Sequence, residues 1–226
     1  MNKIIFTSPL FYFFSFLTYW FTLFFALVFN KLFFGLKIRG RRNIDKIQGC
    51  GCFLISNHSL YLDPAVISHA IFPRRALFSS SPCHFKVPFF GTYIRLLGGF
   101  PIPERMGLVR IAKPIQKAIN KGLFIHFFPE GKLNYLSNKI DKFMLGVFSL
   151  SYNLNIPILP IIIINRKRKF FKSIVHPHYI SLKLVIEKPI YPQKNFDIGK
   201  KKRLAIEKMA QAAYKIMSDC IERENI

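Results

Sequence analysis

The hydrophobic pattern begins with an unbroken apolar run. Residues 4–30 carry no charged side chain. Ser8-Pro9 supplies a cap and a first-turn proline, so the run predicts a helix over 9–29. At about 1.5 Å per residue that helix is about 30 Å long, enough to cross a bilayer core. It is too long for a signal-peptide core, and no small-residue cleavage site follows it. In a spanning helix Tyr19 and Trp20 would fall at mid-bilayer, and Ser15, Thr18 and Thr22 add polarity. The pattern leaves three readings: one spanning helix, a helix or helical hairpin lying in one leaflet, and a buried core helix.

Beyond this run, short apolar strands alternate with helical periods. Residues 53–55, 76–79, 123–128, 158–164 and 182–186 read as buried strands. Asp63-Pro64 opens a helical stretch through Ile71, with aspartate at the cap. Residues 88–97 read as a short helix closed by Gly98-Gly99. Leu108, Ile111, Ile115, Ala118 and Ile119 recur at helical spacing up to Gly122, and Pro114 predicts a kink or a late start. Residues 143–152 and 200–223 complete the helices, the last with apolar residues on one face and lysines opposite. Strands separated by helices argue an α/β fold, with a buried and mainly parallel sheet flanked by helices. No internal repeat interrupts it. The division expected is an N-terminal apolar anchor, residues 1–36, followed by one domain, residues 37–226.

Charge changes the picture of the partners. The 226 residues hold 34 Lys+Arg against 11 Asp+Glu, a formal +23. That balance suits a polyanionic partner: an anionic bilayer surface, an acidic substrate or carrier, or nucleic acid. Lys31, Lys37, Arg39, Arg41, Arg42 and Lys46 follow the apolar run, whereas Lys3 alone precedes it. The positive-inside rule then places the domain on the cytoplasmic face. Cys50, Cys52, Cys83 and Cys220 lack paired spacing, which reads as buried thiols in a reducing compartment. His176-Pro177-His178 lacks further ligands at metal spacing, so no metal is expected.

The candidate chemistry centres on Asn57-His58-Ser59-Leu60-Tyr61-Leu62-Asp63-Pro64. His58 stands at a strand end and Asp63 at a helix start. On one continuous helix five steps of about 100° would leave them about 140° apart, so a turn must fold imidazole onto carboxylate. A histidine held by a carboxylate has a fixed tautomer and raised basicity, the general-base half of a triad, and no serine nucleophile is evident elsewhere. Three more stretches stand out. A Pro-stiffened segment from Gly99 ends in Arg105, a planar fork suited to phosphate. Phe128-Pro129-Glu130-Gly131 is a strand-end turn, and Pro157-Ile158-Leu159-Pro160 opens a core strand.

In this order and spacing the four stretches resemble the glycerolipid acyltransferase family, whose best-known members are 1-acylglycerol-3-phosphate acyltransferases. Its pattern is an NHx4D motif, a GxxxxxR motif, an FPEG motif and a proline-containing apolar strand, and the likeness runs from about Arg39 to Ile190. The resemblance implies a membrane-bound transfer of a fatty acyl group from a thioester to a glycerolipid hydroxyl. It makes residues 37–226 the catalytic domain. His58 matches the base and Asp63 its orienting partner. Arg105 matches the arginine that holds the acceptor phosphate, and Glu130, Gly131 and Lys132 the acceptor-side turn. No bound cofactor is expected. Acyl-CoA or acyl carrier protein would be co-substrate, a lysophospholipid the acceptor and a membrane the platform, with no nucleic-acid partner. Two departures bear on the acceptor. Leu60 stands where the family often has serine, and Lys132-Leu133-Asn134 replaces Thr-Arg-Ser. The latter looks like the tafazzin branch, so a lysophospholipid acyltransferase or transacylase is the alternative enzyme. A non-catalytic basic binder of membranes or nucleic acid, built on Arg166-Lys167-Arg168-Lys169 and Lys200-Lys201-Lys202-Arg203, is the alternative of another class.

Overall fold

A computed structural model describes residues 8–47, 51–102, 107–167, 180–193 and 199–225. Its centre is one seven-stranded sheet in the order β1-β7-β6-β2-β5-β3-β4. The strands are β1 (Lys37–Arg39), β2 (Phe53–Ser56), β3 (Ala76–Ser80), β4 (Gly99–Pro101), β5 (Phe124–Phe127), β6 (Ile158–Lys167) and β7 (Ile180–Ile186). The five strands from β6 to β4 are mutually parallel; β7 runs antiparallel to β6, and β1 is parallel to β7. Strand β6 is apolar on both faces because both faces are covered. Ile162 and Ile164 pack with Phe53, Ile55 and Phe127 in one layer, and Leu159, Ile161 and Ile163 with Leu54 and Phe124 in the other.

Helices α5 (Gly107–Asn120), α6 (Gly146–Leu154) and α7 (Lys200–Asn225) contribute Ile111, Ile115, Phe148, Met209, Ala213 and Met217 to the first layer. Helix α3 (Asp63–Ile71) contributes Val66, Ile67, Ala70 and Ile71 to the second. Pro114 lies inside α5, which neither starts late nor stops at the proline. A proline removes one helical hydrogen bond, and burial of Ile111, Ile115, Ala118 and Ile119 on one face outweighs that loss. The helix expected over 143–152 starts later, at Gly146, because residues before it form a loop over the site: the Met144 amide donates to Pro129 O at 2.8 Å. The short edge strands β1 and β4, the short helix α2 (Arg42–Asp45) and a 3-10 turn (Pro82–Lys86) had no periodic signal in the sequence.

Helix α1 (Pro9–Leu32) is capped by Ser8, whose Oγ accepts from Phe11 N at 3.3 Å. It lies against α3 and α4 (Phe90–Leu96) with an inverted pattern. Its buried positions are Ser15, Tyr19, Leu23 and Asn30, and its exposed ones include Phe13, Phe14, Phe21, Phe24 and Phe25. Ser15 Oγ donates to Leu96 O at 2.6 Å, and Asn30 Nδ2 to Ala65 O at 3.2 Å. The Arg75 guanidinium donates to Ser15 Oγ at 2.6 Å and lies 4.5 Å over the Tyr19 ring. The polarity that sat awkwardly in a spanning helix thus faces protein, and burial pushes the Tyr19 hydroxyl pKa up.

Candidate active site

Strand β2 delivers His58 and strand β5 delivers Glu130 to the same sheet end. The two strands are parallel neighbours with Ile55 opposite Phe127, so three residues further on His58 meets Glu130. Asn57 makes the exit possible. Its side chain continues the strand ladder to β6, donating to Ile163 O and accepting from Ile163 N, both at 2.8 Å. The backbone is then free to turn away while the buried polar groups stay paired.

The His58 ring stacks on Phe128, with centroids 3.8 Å apart and planes at 20°. Its Nδ1 lies 2.8 Å from Asp63 Oδ2. The same oxygen accepts from the amides of Ser59, at 2.8 Å, and Leu60, at 3.0 Å. Asp63 is fully buried and stands in the first turn of α3, with Leu62 at the cap position. Its carboxylate therefore turns back to the histidine loop instead of capping the helix. An acceptor at Nδ1 sets the tautomer: the proton sits on Nδ1 and Nε2 carries the free lone pair. With 21% of the side chain exposed, Nε2 has no hydrogen-bond partner among the described residues.

Glu130 is buried, and both its oxygens are engaged. Oε1 accepts from the His58 amide at 3.1 Å; Oε2 accepts from Asn134 Nδ2 at 2.8 Å and from the Asp141 amide at 2.9 Å. Burial raises its pKa, against the pull of these bonds. Asn134 Nδ2 also donates to Asp141 Oδ2 at 2.9 Å, and Lys132 pairs with Asp141 at 2.8 Å. Two backbone bonds join the loops, from Asn134 N to His58 O and from Leu136 N to Ser59 O, each 2.9 Å. Glu130 thus supports the histidine loop from beneath, while Gly131 and the exposed Lys132 form its rim. Gly131 holds φ +70, and a Cβ there would fall 2.2 Å from Met144 Cε, a flexible tip at the mouth. The amides of His58, Ser59, Leu60 and Gly131 all have acceptors, so none of these four is spare for an oxyanion.

Behind the loop lies a second histidine that the sequence did not single out. His126 is fully buried on β5, with Nε2 3.0 Å from Ser56 Oγ and Nδ1 unpartnered. Burial pushes its pKa down to about 3. Asp141 was likewise invisible as a site residue, and Asn134 stood out only as a motif departure, since their contacts with Glu130 depend on a loop crossing. Arg105, the His176 and His178 pair, and Arg168-Lys169-Phe170-Phe171 lie outside the described residues. Cys52 and Cys220 are buried as expected, whereas Cys83 is exposed. His84 Nδ1 lies 2.8 Å from Ser80 Oγ, and Cys83 Sγ 3.1 Å from Ser81 Oγ.

A mainly parallel α/β sheet presents a carboxylate-held histidine at its strand ends, with no serine or cysteine bonded to Nε2 among the described residues, an arrangement chemically able to act as a general base. Such a base activates a proton-bearing group of a substrate. The Acyltransferase family pattern matches residues 35–164, more than half of the chain, and the chain belongs to that family. It is an acyltransferase, as its motifs implied. Among solved structures it is similar to the 1-acyl-sn-glycerophosphate acyltransferase PlsC from Thermotoga maritima, with a TM-score of 0.63 and 17% identity over 91% of this chain and 80% of that one. Comparison with curated proteins gives no significant match.

Proposed function

We propose that this acyltransferase moves a fatty acyl group from a thioester donor to the free hydroxyl of a lysophosphatidic acid-type glycerolipid at a membrane surface. The observation that carries the reading is the 2.8 Å contact of His58 Nδ1 with Asp63, which leaves Nε2 open at the site mouth. Nε2 takes the hydroxyl proton as that oxygen attacks the thioester carbonyl. A C–O bond forms and the C–S bond breaks. The leaving thiolate collects the proton from the imidazolium, which Asp63 stabilises meanwhile. The acceptor is the nucleophile, so no acyl-enzyme is required. Arg105 grips the acceptor phosphate, Gly131 and Lys132 border it, and Glu130 holds the histidine loop in place. The name of the T. maritima enzyme supports a lysophosphatidic acid acceptor. Acyl-CoA and acyl carrier protein both suit the positive surface as donors.

The anchor is residues 1–36, the catalytic domain residues 37–226, and the domain faces the cytoplasm. The docking of α1 favours a helix lying in one leaflet over one that spans. Bonds at Ser15 and Asn30 fasten both halves of the helix to the domain, while its phenylalanine face is open. A spanning orientation would drag the domain into the hydrocarbon. An in-plane helix buries an apolar face to the headgroup boundary and leaves the rest in water.

Acyl transfer to lysophosphatidic acid and other lysolipids, from acyl-CoA and from acyl carrier protein, tests the reading. His58→Ala should lower turnover by at least about 10²–10⁴ and leave the thermal unfolding curve unchanged. Asp63→Asn should also be severe, because the imidazolium loses its counter-charge. Near-normal transfer by His58→Ala would overturn the mechanism. Preference for a lysophospholipid with a larger headgroup would move the reading to the lysophospholipid acyltransferase alternative.

A further inference from the structure

Between the 3-10 turn and α4 the chain reads Lys86-Val87-Pro88-Phe89-Phe90. The four apolar residues of this stretch, Val87 to Phe90, are not folded inward. Val87 is 50% exposed, Phe90 51% and Phe89 92%. We propose that this tip is a second lipid-inserting element, which enters the headgroup–acyl boundary of an anionic leaflet beside α1. The proposal rests on the membrane reading above.

The tip is built to hold its rings outward. Phe89 has φ 59 and ψ −51, a conformation that L side chains rarely adopt and that persists where the surroundings enforce it. Here they do. The Gly91 amide donates to Val87 O at 2.9 Å, and Tyr93 N donates to Phe89 O at 2.9 Å. Gly91 packs its bare backbone on Phe85, where a Cβ would come within 2.6 Å of the Phe85 carbonyl oxygen. The Arg95 guanidinium lies 4.7 Å over the Phe85 ring from the next turn. A large ring on a braced tip gains nothing in water.

The tip is also registered against the helix that the membrane reading already uses. Helix α4 runs opposite to α1, with Leu96 bonded to Ser15 at 2.6 Å and Tyr93 to Thr22 at 3.0 Å. That direction carries Phe90 and Phe89 toward the half of α1 that exposes Phe24, Phe25 and Val28. The two apolar surfaces therefore share one end of the α1–α4 pair. Its charge says what covers it. No Asp or Glu occurs between Asp63 and Glu104, while Lys86 beside the tip is exposed. Phenylalanines flanked by cations and free of carboxylates fit an anionic bilayer, where rings enter the acyl boundary and ammonium groups meet the headgroups.

The 226-residue chain carries a single tryptophan, Trp20 on α1, which serves as an internal control. Wild type and a W20F/F89W variant are transferred from detergent into phosphatidylcholine–phosphatidylglycerol vesicles whose acyl chains are brominated or not. Both indoles should be quenched by bromine and protected from aqueous acrylamide. Trp20 quenched in wild type while the F89W indole remains accessible to acrylamide would overturn the tip and leave the α1 reading standing. Absence of quenching in both would overturn the membrane reading and the tip with it. In a kinetic arm, Phe89→Asp should raise KM for a vesicle-embedded acceptor about tenfold or more and leave a short-chain soluble acceptor unaffected. Phe89→Leu should restore most of the vesicle activity. Equal losses on both acceptors would mark Phe89 as structural and also overturn the proposal.

Discussion

At the scale of single residues, the site separates two histidines by environment. His58 keeps an open nitrogen and a carboxylate partner; His126, on the neighbouring strand, is sealed and neutral. The sealing has a measurable consequence. An unfolded chain protonates this imidazole near its ordinary value of 6.5, whereas the native protein resists down to about 3. Below 6.5 the unfolded state therefore binds more protons, and stability is lost as pH falls from 6.5 toward 3. At pH 4.5 this group alone should cost about 3 kcal/mol relative to neutral pH. His126→Gln carries no titrating ring, and its denaturation midpoint should fall less between pH 7 and 4.5 than that of wild type. Parallel declines in the two proteins would show that the ring is not the acid-sensitive group.

At the scale of elements, α1 reverses the usual order, with polar side chains toward protein and aromatic ones toward the surroundings. In the proposed membrane-surface function two attachments act together: apolar insertion, which salt does not screen, and Coulombic attraction, which it does. Phe21, Phe24 and Phe25 are 68%, 62% and 55% exposed, so replacing all three by Gln leaves the docked face intact. Wild type should stay on anionic vesicles in about 1 M salt, where the Debye length is only about 3 Å. The triple variant should bind at low salt and be retained less than wild type at high salt in a co-sedimentation series. Release of wild type by salt would contradict insertion through this helix.

For the whole molecule, an excess of cations must be held in one compact body. Glu224, near the end of α7, is shared by three of them: Arg39 of β1 at 2.6 Å, Arg166 of β6 at 3.0 Å, and Lys183 of β7. One largely buried carboxylate thus fastens the closing helix to three strands. Glu224→Ala would leave three positive groups facing one another. Because the cations are partly exposed, the loss should be about 2 kcal/mol, or about 5 °C in Tm, smaller than for a fully buried pair. High salt should narrow the gap from wild type by screening the repulsion. A salt-independent difference in Tm would point instead to lost packing.

Local patterns determined much of this protein. The unbroken apolar runs at 53–55 and 158–164 read as strands covered on both faces, and Asp63-Pro64 reads as a helix start, because period and backbone chemistry are local properties. The pairing of His58 with Asp63 was legible too, since a five-residue turn brings them together without help from elsewhere. What the sequence left open depends on contacts between distant segments. The alignment of β2 with β5 brings Glu130 under the His58 amide, 72 residues away. A loop crossing recruits Asn134 and Asp141, and packing against α3 and α4 chooses which side of an all-apolar helix faces protein. Each of these is a free-energy difference between arrangements with the same local pattern, so only tertiary packing could decide among them.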